Sequence, residues 1–421
     1  MEYKLPKEVK EIIICMEKAG WQIYIVGGAV RDLIMGREVT DWDFTTDAKP
    51  EEILKVFPEG HYNNQFGTVG IPNSNGEVYE ITTMRKEGEY RDFRHPESVG
   101  WTDKIEEDLA RRDFTINAIA LGQQLIDPYD GQSDIKNKLI KTVGDPNARF
   151  KEDALRLLRA VRIATQLEFD IDKNTFKAIC DNRELIGEMA WERIRDELFK
   201  LLGSANPYIG MLRLREAGIF QIVLPELEKC FGIIQEGPKH DRIYEIGDHS
   251  LRSMRETPST DPLVKLAALL HDVGKAETVK ISSDGNVTFY NHDLIGGKIV
   301  LQIAKRLNLS KKQSDKLYKL VRWHLFSVNE NQTDGAIRRI IKNVGLENIE
   351  DLMKVRIGDR LGGDTKKPVS WRMEKFQDRV HQVLQKPFSI TDLKINGADV
   401  MKILKLEPGP KVGEVLNTLF K

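Results

Sequence analysis

The sequence predicts an α+β protein in which a mixed N-terminal domain is followed by a helical remainder. Up to about residue 141, one or two helices are mixed with short β-rich runs, namely WQIYIVGG, DWDFTT, TVGIP, VYEITTM and AIALGQQLID. From about residue 146 the apolar residues recur with helical periodicity, and few strand patterns remain. With 421 residues, the chain is longer than one hydrophobic core usually supports, so several domains are expected.

Two amphipathic helices are the clearest elements of the helical part. In EDALRLLRAVRIATQLEF an apolar stripe runs beside a basic stripe, which predicts a helix with a basic edge. The two stripes consist of Leu155, Leu158 and Val161, and of Arg156, Arg159 and Arg162. WERIRDELFKLL repeats this pattern, while breaks at GSANP and EGPKHDRIYEIGDHS divide the rest into segments.

The charge balance and the lack of long apolar runs restrict the class of protein. Lys and Arg total 64 against 65 Asp and Glu, so any contact with nucleic acid must come from local basic faces. The N-terminus has no signal-peptide core, and no apolar run approaches the roughly 20 residues of a membrane span. We therefore expect a cytoplasmic protein without membrane contact, whose Cys15, Cys180 and Cys230 are reduced thiols in the core.

An unusual pattern of charge follows the first predicted strand, in YIVGGAVRDLIMGREVTDWDFTTDA. Gly27 and Gly28 lie between a strand and a helix, where free backbone N–H groups, together with Arg31, would suit a triphosphate. Asp41 and Asp43 alternate on a predicted strand and so share a face. Either that face is solvated, or the pair holds Mg²⁺ against the phosphates.

Five segments, in this order, resemble the motifs of the class II tRNA nucleotidyltransferases, which belong to the polymerase-β-like superfamily. GGAVRD with DWDFTTDA resembles the first motif, and EEDLARRDFTINAIA resembles the ribose-contacting motif. DPYDGQSDIKNKLIKTVGDP resembles the next motif, RFKEDALRLLRAVRIA the base-selecting motif, and ERIRDELFKLL the helix that follows. The resemblance covers roughly the first 200 residues and implies a polymerase-β-like nucleotidyltransferase head that uses Mg²⁺.

The resemblance implies roles for the charged run in the second motif. Arg111 and Arg112 would contact phosphate, and Asp113 would accept a hydrogen bond from a ribose hydroxyl. A charged helix start would also explain this run. Glu80, on a predicted strand, would be a third carboxylate at the metals or a solvated strand residue.

The fourth motif is implied to select the incoming nucleotide. Asp153 and Arg156 are three residues apart on a predicted helix and so lie on one face. In the family the matching pair hydrogen-bonds the base of CTP or ATP in place of a template, whereas a plain salt bridge is the alternative. Arg159 and Arg162 would line the same groove.

A cluster of histidines in the second half resembles an HD-type phosphohydrolase domain. Its minimal ligand set of His, His-Asp and a distant Asp is matched by His249, His271, Asp272 and Asp359. His292 and His324 would allow a second divalent metal. Bacterial members of the nucleotidyltransferase family include chains with such an appended domain, so the two resemblances are compatible.

Together these resemblances divide the chain into five predicted domains. They are the head (1–145), a neck with nucleotide-selecting helices (146–205), a body (206–240), the HD domain (241–365) and a tRNA-binding tail (366–421). A basic stretch in the second half is either a phosphate-backbone contact or a solvated face. It comprises Lys305, Arg306, Lys311, Lys312, Lys316, Lys319 and Arg322.

The main hypothesis is template-independent addition of CCA to the 3′ end of tRNA, with CTP and ATP as substrates. The polar segment from Arg85 to Lys104 has the full length that the resemblance associates with addition of the terminal A. One alternative is an A-adding enzyme that acts after a CC-adding partner. Another is an HD phosphohydrolase with a degenerate head, against which the intact Asp41 and Asp43 pair argues.

Overall fold

Strands and helices follow one another in the order that the sequence predicts. The computed structural model describes residues 3–62, 67–73, 76, 78–88, 98–236, 243–283, 286–326, 333–363, 371–384 and 393–420. The chain divides into two compact units, Met1–Pro225 and Glu226–Lys421. This division falls inside the predicted body, and the finer domain boundaries stay predictions.

The first unit is built on a seven-stranded mixed sheet with the strand order β3-β4-β5-β2-β1-β8-β9. Its strands are β1 (Ile23–Val26), β2 (Asp43–Thr46), β3 (His61–Tyr62), β4 (Thr68–Pro72), β5 (Val78–Thr83), β8 (Ala120–Leu121) and β9 (Leu125–Ile126). Two short pairs lie outside this sheet, β6 (Arg85–Glu87) with β7 (Val99–Trp101) and β10 (Leu139–Ile140) with β11 (Asp170–Ile171). The five predicted β-rich runs all contain strands of the main sheet, so the prediction of a mixed N-terminal domain is confirmed.

Helices flank this sheet, and the chain after the sheet is mostly helical. They are α1 (Lys7–Lys18), α2 (Gly28–Ile34), α3 (Pro50–Val56), α4 (Ile105–Ala110), α5 (Gly131–Lys136), α6 (Pro146–Glu152), α7 (Leu155–Leu167), α8 (Lys173–Asn182), α9 (Trp191–Leu202), α10 (Pro207–Glu216), α11 (Phe220–Val223) and α12 (Pro225–Glu228). Short 3₁₀ turns occupy Thr115–Asn117 and Arg183–Glu188. The predicted amphipathic helix over WERIRDELFKLL is α9, which buries Ile194, Leu198 and Leu201.

The other predicted amphipathic helix, over EDALRLLRAVRIATQLEF, is broken near its start. The segment EDALRLLRAVRIATQLEF contains the end of α6, two non-helical residues and then α7. Asp145 caps α6 by accepting a hydrogen bond from Ala148 N, with Pro146 at the first helical position. Asp153 is extended (φ −137°, ψ 104°) and ends α6, so it does not lie on one helix with Arg156 as the sequence predicts.

The second unit is mostly helical. Its helices are α13 (Ile246–Glu256), α14 (Pro262–Leu270), α15 (Lys275–Thr278), α16 (His292–Arg306), α17 (Lys311–Arg322), α18 (Asp334–Val344), α19 (Leu346–Gly362), α20 (Trp371–Leu384), α21 (Gly397–Leu404) and α22 (Pro410–Phe420). Two short hairpins join β12 (Ile234–Glu236) to β13 (Ile243–Glu245) and β14 (Lys280–Ile281) to β15 (Val287–Thr288). Helix α14 is the central helix, since Leu263 to Leu270 are all buried. Within the described parts of the chain, no helix is long and apolar enough to cross a membrane.

Candidate functional site

The turn after β1 brings a glycine, an arginine and a carboxylate into one small volume. Gly27 has φ +69° and ψ −137°, a conformation that side-chain-bearing residues rarely adopt. A Cβ atom at Gly27 would lie 3.1 Å from Arg112 Nη1 and 3.5 Å from Asp43 Oδ2. The turn therefore needs glycine, and Gly28 follows it as the first residue of α2.

Three carboxylates stand around the beginning of β2. Asp43 opens β2 and is in register with Val26 on antiparallel β1 and with Glu80 on parallel β5. Asp41 precedes the strand, so the prediction that both acids alternate on one strand is wrong. The residue opposite Asp41 would be Gly28, which already belongs to α2 and cannot extend the β1–β2 ladder.

The electrostatics around Asp43 suit a cation. Burial raises the pKa of Asp43 to about 6, the charges of Asp41 and Glu80 add to this effect, and Arg112 opposes it. The negative charge of ionised Asp43 is therefore only partly balanced by the positive charge of Arg112. Hard carboxylate oxygens are the ligands that Mg²⁺ prefers, so the chemistry of this donor set fits that ion.

The predicted phosphate-binding arginines are held by carboxylates of the protein. Arg31 donates from Nε and Nη2 to its neighbour Asp32, at 2.9 Å each, and from Nη1 to Asn117 Oδ1 at 2.9 Å. Arg111 and Arg112 both pair with Asp108, whose side chain is fully buried. The prediction from sequence missed Asp108, although its spacing of three and four residues before two arginines on a helix was a readable signal.

Asp113 is bound within the protein. Its Oδ2 accepts from Arg159 Nη2 at 2.6 Å and Nε at 3.0 Å, and its Oδ1 accepts from Asn117 Nδ2 and Phe114 N. Burial raises the pKa of Asp113, but the charge and hydrogen bonds of Arg159 outweigh burial and lower it to about 2. Asp113 therefore positions Arg159 on α7, and its predicted contact with a ribose stays a prediction.

The two residues predicted to read the base do not contact each other through their side chains. Asp153 accepts hydrogen bonds from Leu155 N and from Arg193 Nη2, both at 3.1 Å. Arg156 is buried and donates to Glu152 Oε2 at 2.6 Å and to the carbonyl oxygen of Arg111 at 3.0 Å. The plain Asp153–Arg156 salt bridge is therefore absent between these two described side chains.

The remaining arginine of this motif pairs with α9. Arg162 Nε donates to Glu197 Oε2 at 2.5 Å, and Glu197 is buried. Neither Arg193 nor Glu197 was predicted from the sequence as part of the site, because only the packing of α7 against α9 brings them to it. The segment from Arg85 to Lys104 begins with β6 and contains β7 near its end, and these two strands pair with each other. Its residues 89–97 lie outside the described residues.

In the second unit, all six predicted metal ligands meet. His249 Nε2 lies 3.3 Å from Asp359 Oδ1 and 3.6 Å from Asp272 Oδ2, and His271 Nε2 lies 3.2 Å from Asp272 Oδ2. On the other oxygen of Asp272, His292 Nε2 lies at 3.2 Å and His324 Nε2 at 3.7 Å. Two ligand groups therefore share Asp272, with His249 and His271 on one side and His292 and His324 on the other.

Backbone carbonyls fix the orientation of three of these imidazoles. The Nδ1 atoms of His271, His292 and His324 lie 2.7, 2.8 and 2.6 Å from the carbonyl oxygens three residues before each of them. Donation from Nδ1 makes Nε2 the atom of each imidazole that would coordinate a metal once it is deprotonated. The Nε2 atoms of His292 and His324 are buried and make no hydrogen bond with the described part of the chain, although Asp272 is near. This donor set fits divalent metal ions.

Asp272 and its surroundings complete the centre. Burial alone would raise the pKa of Asp272, but the charges of His271 and Lys275 hold it well below its usual range. Lys275 is buried, with Nζ 2.5 Å from Asp272 Oδ2. A cavity of about 430 Å³ opens beside the cluster, and Lys275, Arg356, Tyr244 and Phe289 line it.

The predicted basic stretch is mostly paired inside the second unit. Arg306 binds Glu226, Lys316 binds Asp261 and Asp351, Lys319 binds Asp315, and Arg322 binds Asp293. Four of its seven cations thus contribute ion pairs between or within helices. Because a carboxylate neutralises each of these four cations, they do not support a continuous basic face that would bind a phosphate backbone.

Three family models match successive parts of the chain. Residues 23–141 match the poly A polymerase head domain, and residues 168–231 match a probable RNA and SrmB-binding site of polymerase A. Residues 245–362 match the HD domain. The carboxylates and predicted phosphate-binding arginines of the first site lie in the first of these regions, and the six candidate metal ligands lie in the third. The residues from Asp153 to Arg162 lie between the first two matched regions.

Two similar curated proteins align with nearly the whole chain. The CCA-adding enzyme of Ligilactobacillus salivarius is 33% identical over 99% of this chain and 92% of its own length. The A-adding tRNA nucleotidyltransferase of Deinococcus radiodurans is 33% identical over 94% of this chain and 90% of its own length. Other CCA-adding enzymes match at 44% to 47% identity, but in those alignments the chain spans only about half the length of each relative.

Similarity to a solved structure extends over both units. The crystal structure of the Bacillus stearothermophilus CCA-adding enzyme in complex with CTP has a TM-score of 0.69 and is 28% identical in sequence. The alignment covers 98% of this chain and 91% of that chain. The prediction of a nucleotidyltransferase head followed by helical domains is thereby confirmed.

Proposed function

Since the chain belongs to the tRNA nucleotidyltransferase family that includes the CCA-adding enzymes, we propose that it adds CCA to the 3′ end of tRNA without a nucleic-acid template. CTP and ATP are the proposed nucleotide substrates, Mg²⁺ the metal of the head, and the cytoplasm the compartment. One observation carries the proposal: Gly27, Arg112, Asp43 and Glu80 come together beside the central strands β1, β2 and β5, in a chain that matches a CCA-adding enzyme over 99% of its length.

The proposed reaction transfers a nucleotidyl group to the tRNA end. The 3′ oxygen of tRNA forms a bond to the α-phosphorus, the bond from that phosphorus to the bridging oxygen breaks, and pyrophosphate and the hydroxyl proton leave. Asp41 and Asp43, with Glu80 beside them, would hold Mg²⁺, which when bound lowers the charge on the triphosphate and the pKa of the attacking hydroxyl. Gly28, Arg31, Arg111 and Arg112 would hold the phosphates, since cationic and backbone N–H donors suit phosphate oxygens.

Nucleotide selection is proposed to lie with α6 and α7. Asp153, Arg159 and Arg162 are partly exposed. Arg156 is buried and donates a hydrogen bond to Glu152, so it would support the position of the other three side chains. Each of these side chains is held by a partner on another element or an adjacent turn, so the bases of CTP and ATP would meet a rigid set of donors and acceptors. Rigid donors and acceptors allow selection of two bases without a template strand.

The decisive experiment uses tRNA transcripts that end before CCA, after C and after CC, with CTP and ATP supplied separately. We expect CTP to extend the first two transcripts and ATP to extend the third. Extension of only the CC-ending transcript would instead identify an A-adding enzyme. This alternative is considered because the A-adding enzyme of Deinococcus radiodurans aligns with 94% of the chain. No extension of any transcript would contradict nucleotidyl transfer by this chain.

The second unit supports an additional activity. We propose that the six-ligand centre binds divalent metal and hydrolyses a phosphate ester, because the adjoining cavity offers Lys275 and Arg356 to a phosphoryl group. Release of inorganic phosphate or ring opening of a cyclic phosphodiester, assayed with Mn²⁺, Ni²⁺ and Mg²⁺ in turn, tests this proposal. Loss of the hydrolysis in His271→Gln, with tRNA extension retained, would assign it to this centre.

A further inference from the structure

Asp108 is a fully buried acid beside the proposed triphosphate site. It lies on α4, whose Ile105 and Leu109 belong to the same hydrophobic core as Val26 and Met84. The side chain of Asp108 has 0% exposure. Burial of a carboxylate costs free energy unless hydrogen bonds and opposite charges offset that cost. The groups that pair with Asp108 therefore indicate the role of this residue.

The partners of Asp108 are two consecutive arginines and one backbone amide. Its Oδ1 accepts from Arg111 Nε at 3.0 Å and Nη2 at 2.7 Å, and from Arg85 N, where β6 begins, at 3.3 Å. Its Oδ2 accepts from Arg112 Nη2 at 3.2 Å. One buried group thus fixes two guanidinium groups relative to the sheet.

The two arginines are not equivalent. Arg111 directs two donors at a single oxygen of Asp108. Arg112 gives Asp108 only Nη2, while its Nη1 lies 3.1 Å from where a Cβ of Gly27 would be, beside Asp43 Oδ2. The Nε of Arg112 is buried and has no hydrogen-bond partner in the described part of the chain. The Nη1 atom of Arg112 therefore remains as a donor for a ligand at the glycine turn.

We infer that Asp108 is a positioning residue that holds Arg112 at the Gly27 turn, where Nη1 of Arg112 binds the triphosphate. The inference rests on the proposed nucleotidyl transfer. Asp108 does not touch the nucleotide and acts through Arg112. Arg111, with two donors on one carboxylate oxygen, also neutralises Asp108.

A double-mutant cycle tests this role in the full chain, with KM for CTP and KM for tRNA measured separately. Asp108→Asn keeps the shape of the side chain but removes its charge, and we expect KM for CTP to rise about tenfold or more. KM for tRNA stays unchanged. In the Arg112→Ala background, Asp108→Asn adds little to the rise, because residues that act through one contact are not additive.

Several controls separate positioning from folding. KM does not depend on the fraction of enzyme that is folded, so partial unfolding of Asp108→Asn lowers the rate but not the affinity for CTP. Asp108→Glu, which restores the carboxylate, recovers part of the affinity. Glu106→Gln changes the same charge at an exposed position of α4 and leaves both KM values as they are.

The outcomes distinguish the inference from the proposed function. An equal rise in KM for CTP with and without Arg112 would overturn the role of Asp108, and so would an unchanged KM in Asp108→Asn. Failure of the unaltered chain to incorporate CTP or ATP into any transcript would overturn the proposed function and, with it, this inference.

Discussion

At the scale of single residues, several charged groups of the first unit occur in buried or half-buried pairs. Arg159 holds Asp113, Arg162 holds Glu197, and Asp108 holds two arginines. Asp43 differs, since its nearest charges include two further carboxylates. Because burial and two neighbouring carboxylates outweigh the single charge of Arg112, the position of Asp43 suits a bound cation.

Substitution Asp43→Asn separates function from stability. We expect nucleotide addition to fall by about a hundredfold or more, because a metal ligand is lost. The raised pKa of Asp43, about 6, means that its contribution to stability is present at low pH and is lost as the pH rises through 6. In chelator above pH 6 the variant should therefore unfold at a temperature equal to or above that of the unaltered chain. Exposed Glu38→Gln is the control, and a lower unfolding temperature for Asp43→Asn would contradict this account.

Asp113→Asn is expected to have the opposite effect on stability. The folded-state pKa of Asp113, about 2, lies below its ordinary value, so its ionised form stabilises the fold above about pH 4 and less as the pH falls toward 2. The variant should lose about 2–4 kcal/mol at pH 7, since Arg159 is left without its partner. Urea unfolding at pH 7, 5 and 3 measures this difference, which should shrink at the lowest pH. A constant difference across pH, or none beyond that of exposed Asp103→Asn, would refute the pairing argument.

At the scale of elements, a close helix approach helps to bring together the candidate metal ligands of the second unit. Gly274 follows His271 and Asp272 and precedes α15, and it faces the start of α16, where His292 lies. A Cβ atom at Gly274 would stand 2.1 Å from the carbonyl oxygen of His292 and 2.6 Å from Gly296 N. Only glycine lets α16 approach closely enough to bring His292 to Asp272.

Gly274→Ala should therefore damage the metal centre specifically. Because the clash is with backbone atoms, α16 must shift, which we expect to destabilise the second unit by about 1–3 kcal/mol. Elemental analysis should find less divalent metal bound per chain than in the unaltered protein. Gly335→Ala, where the nearest atom would be 3.8 Å away, is the control in the same unit. Full metal content in Gly274→Ala would show that the approach of α16 is not needed.

At the scale of the whole molecule, each compact unit contains one complete candidate site. Asp41, Asp43, Glu80 and the arginines of the first site belong to Met1–Pro225, and the six metal ligands belong to Glu226–Lys421. Sites without shared partners usually behave additively. The two proposed activities should therefore be separable by mutation in either direction.

Reciprocal variants test this independence. His271→Gln should abolish hydrolysis of phosphate esters yet keep the rate of CTP incorporation within about twofold, as expected of sites built from different residues. Asp43→Asn should abolish incorporation and keep hydrolysis. Both rates are measured on the same preparations of full-length protein. Loss of both activities in either variant would mean that the units depend on one another.

Periodicity and local patterns in the sequence predict the mixed head and the helical remainder. The order of the motifs and the six candidate metal ligands, which include the His-Asp pair of HDVGK, come from the resemblance to known families, and the structure brings these six residues together. Only the tertiary structure decided that Asp41 precedes β2, that Asp153 ends a helix and pairs with Arg193, and that Asp108 holds Arg111 and Arg112. The reason is physical: a strand needs a partner strand at every position, and a buried charge takes the partner that packing brings near. Asp43 and Glu80 are 37 residues apart in the chain but adjacent in the sheet, which no local pattern specifies.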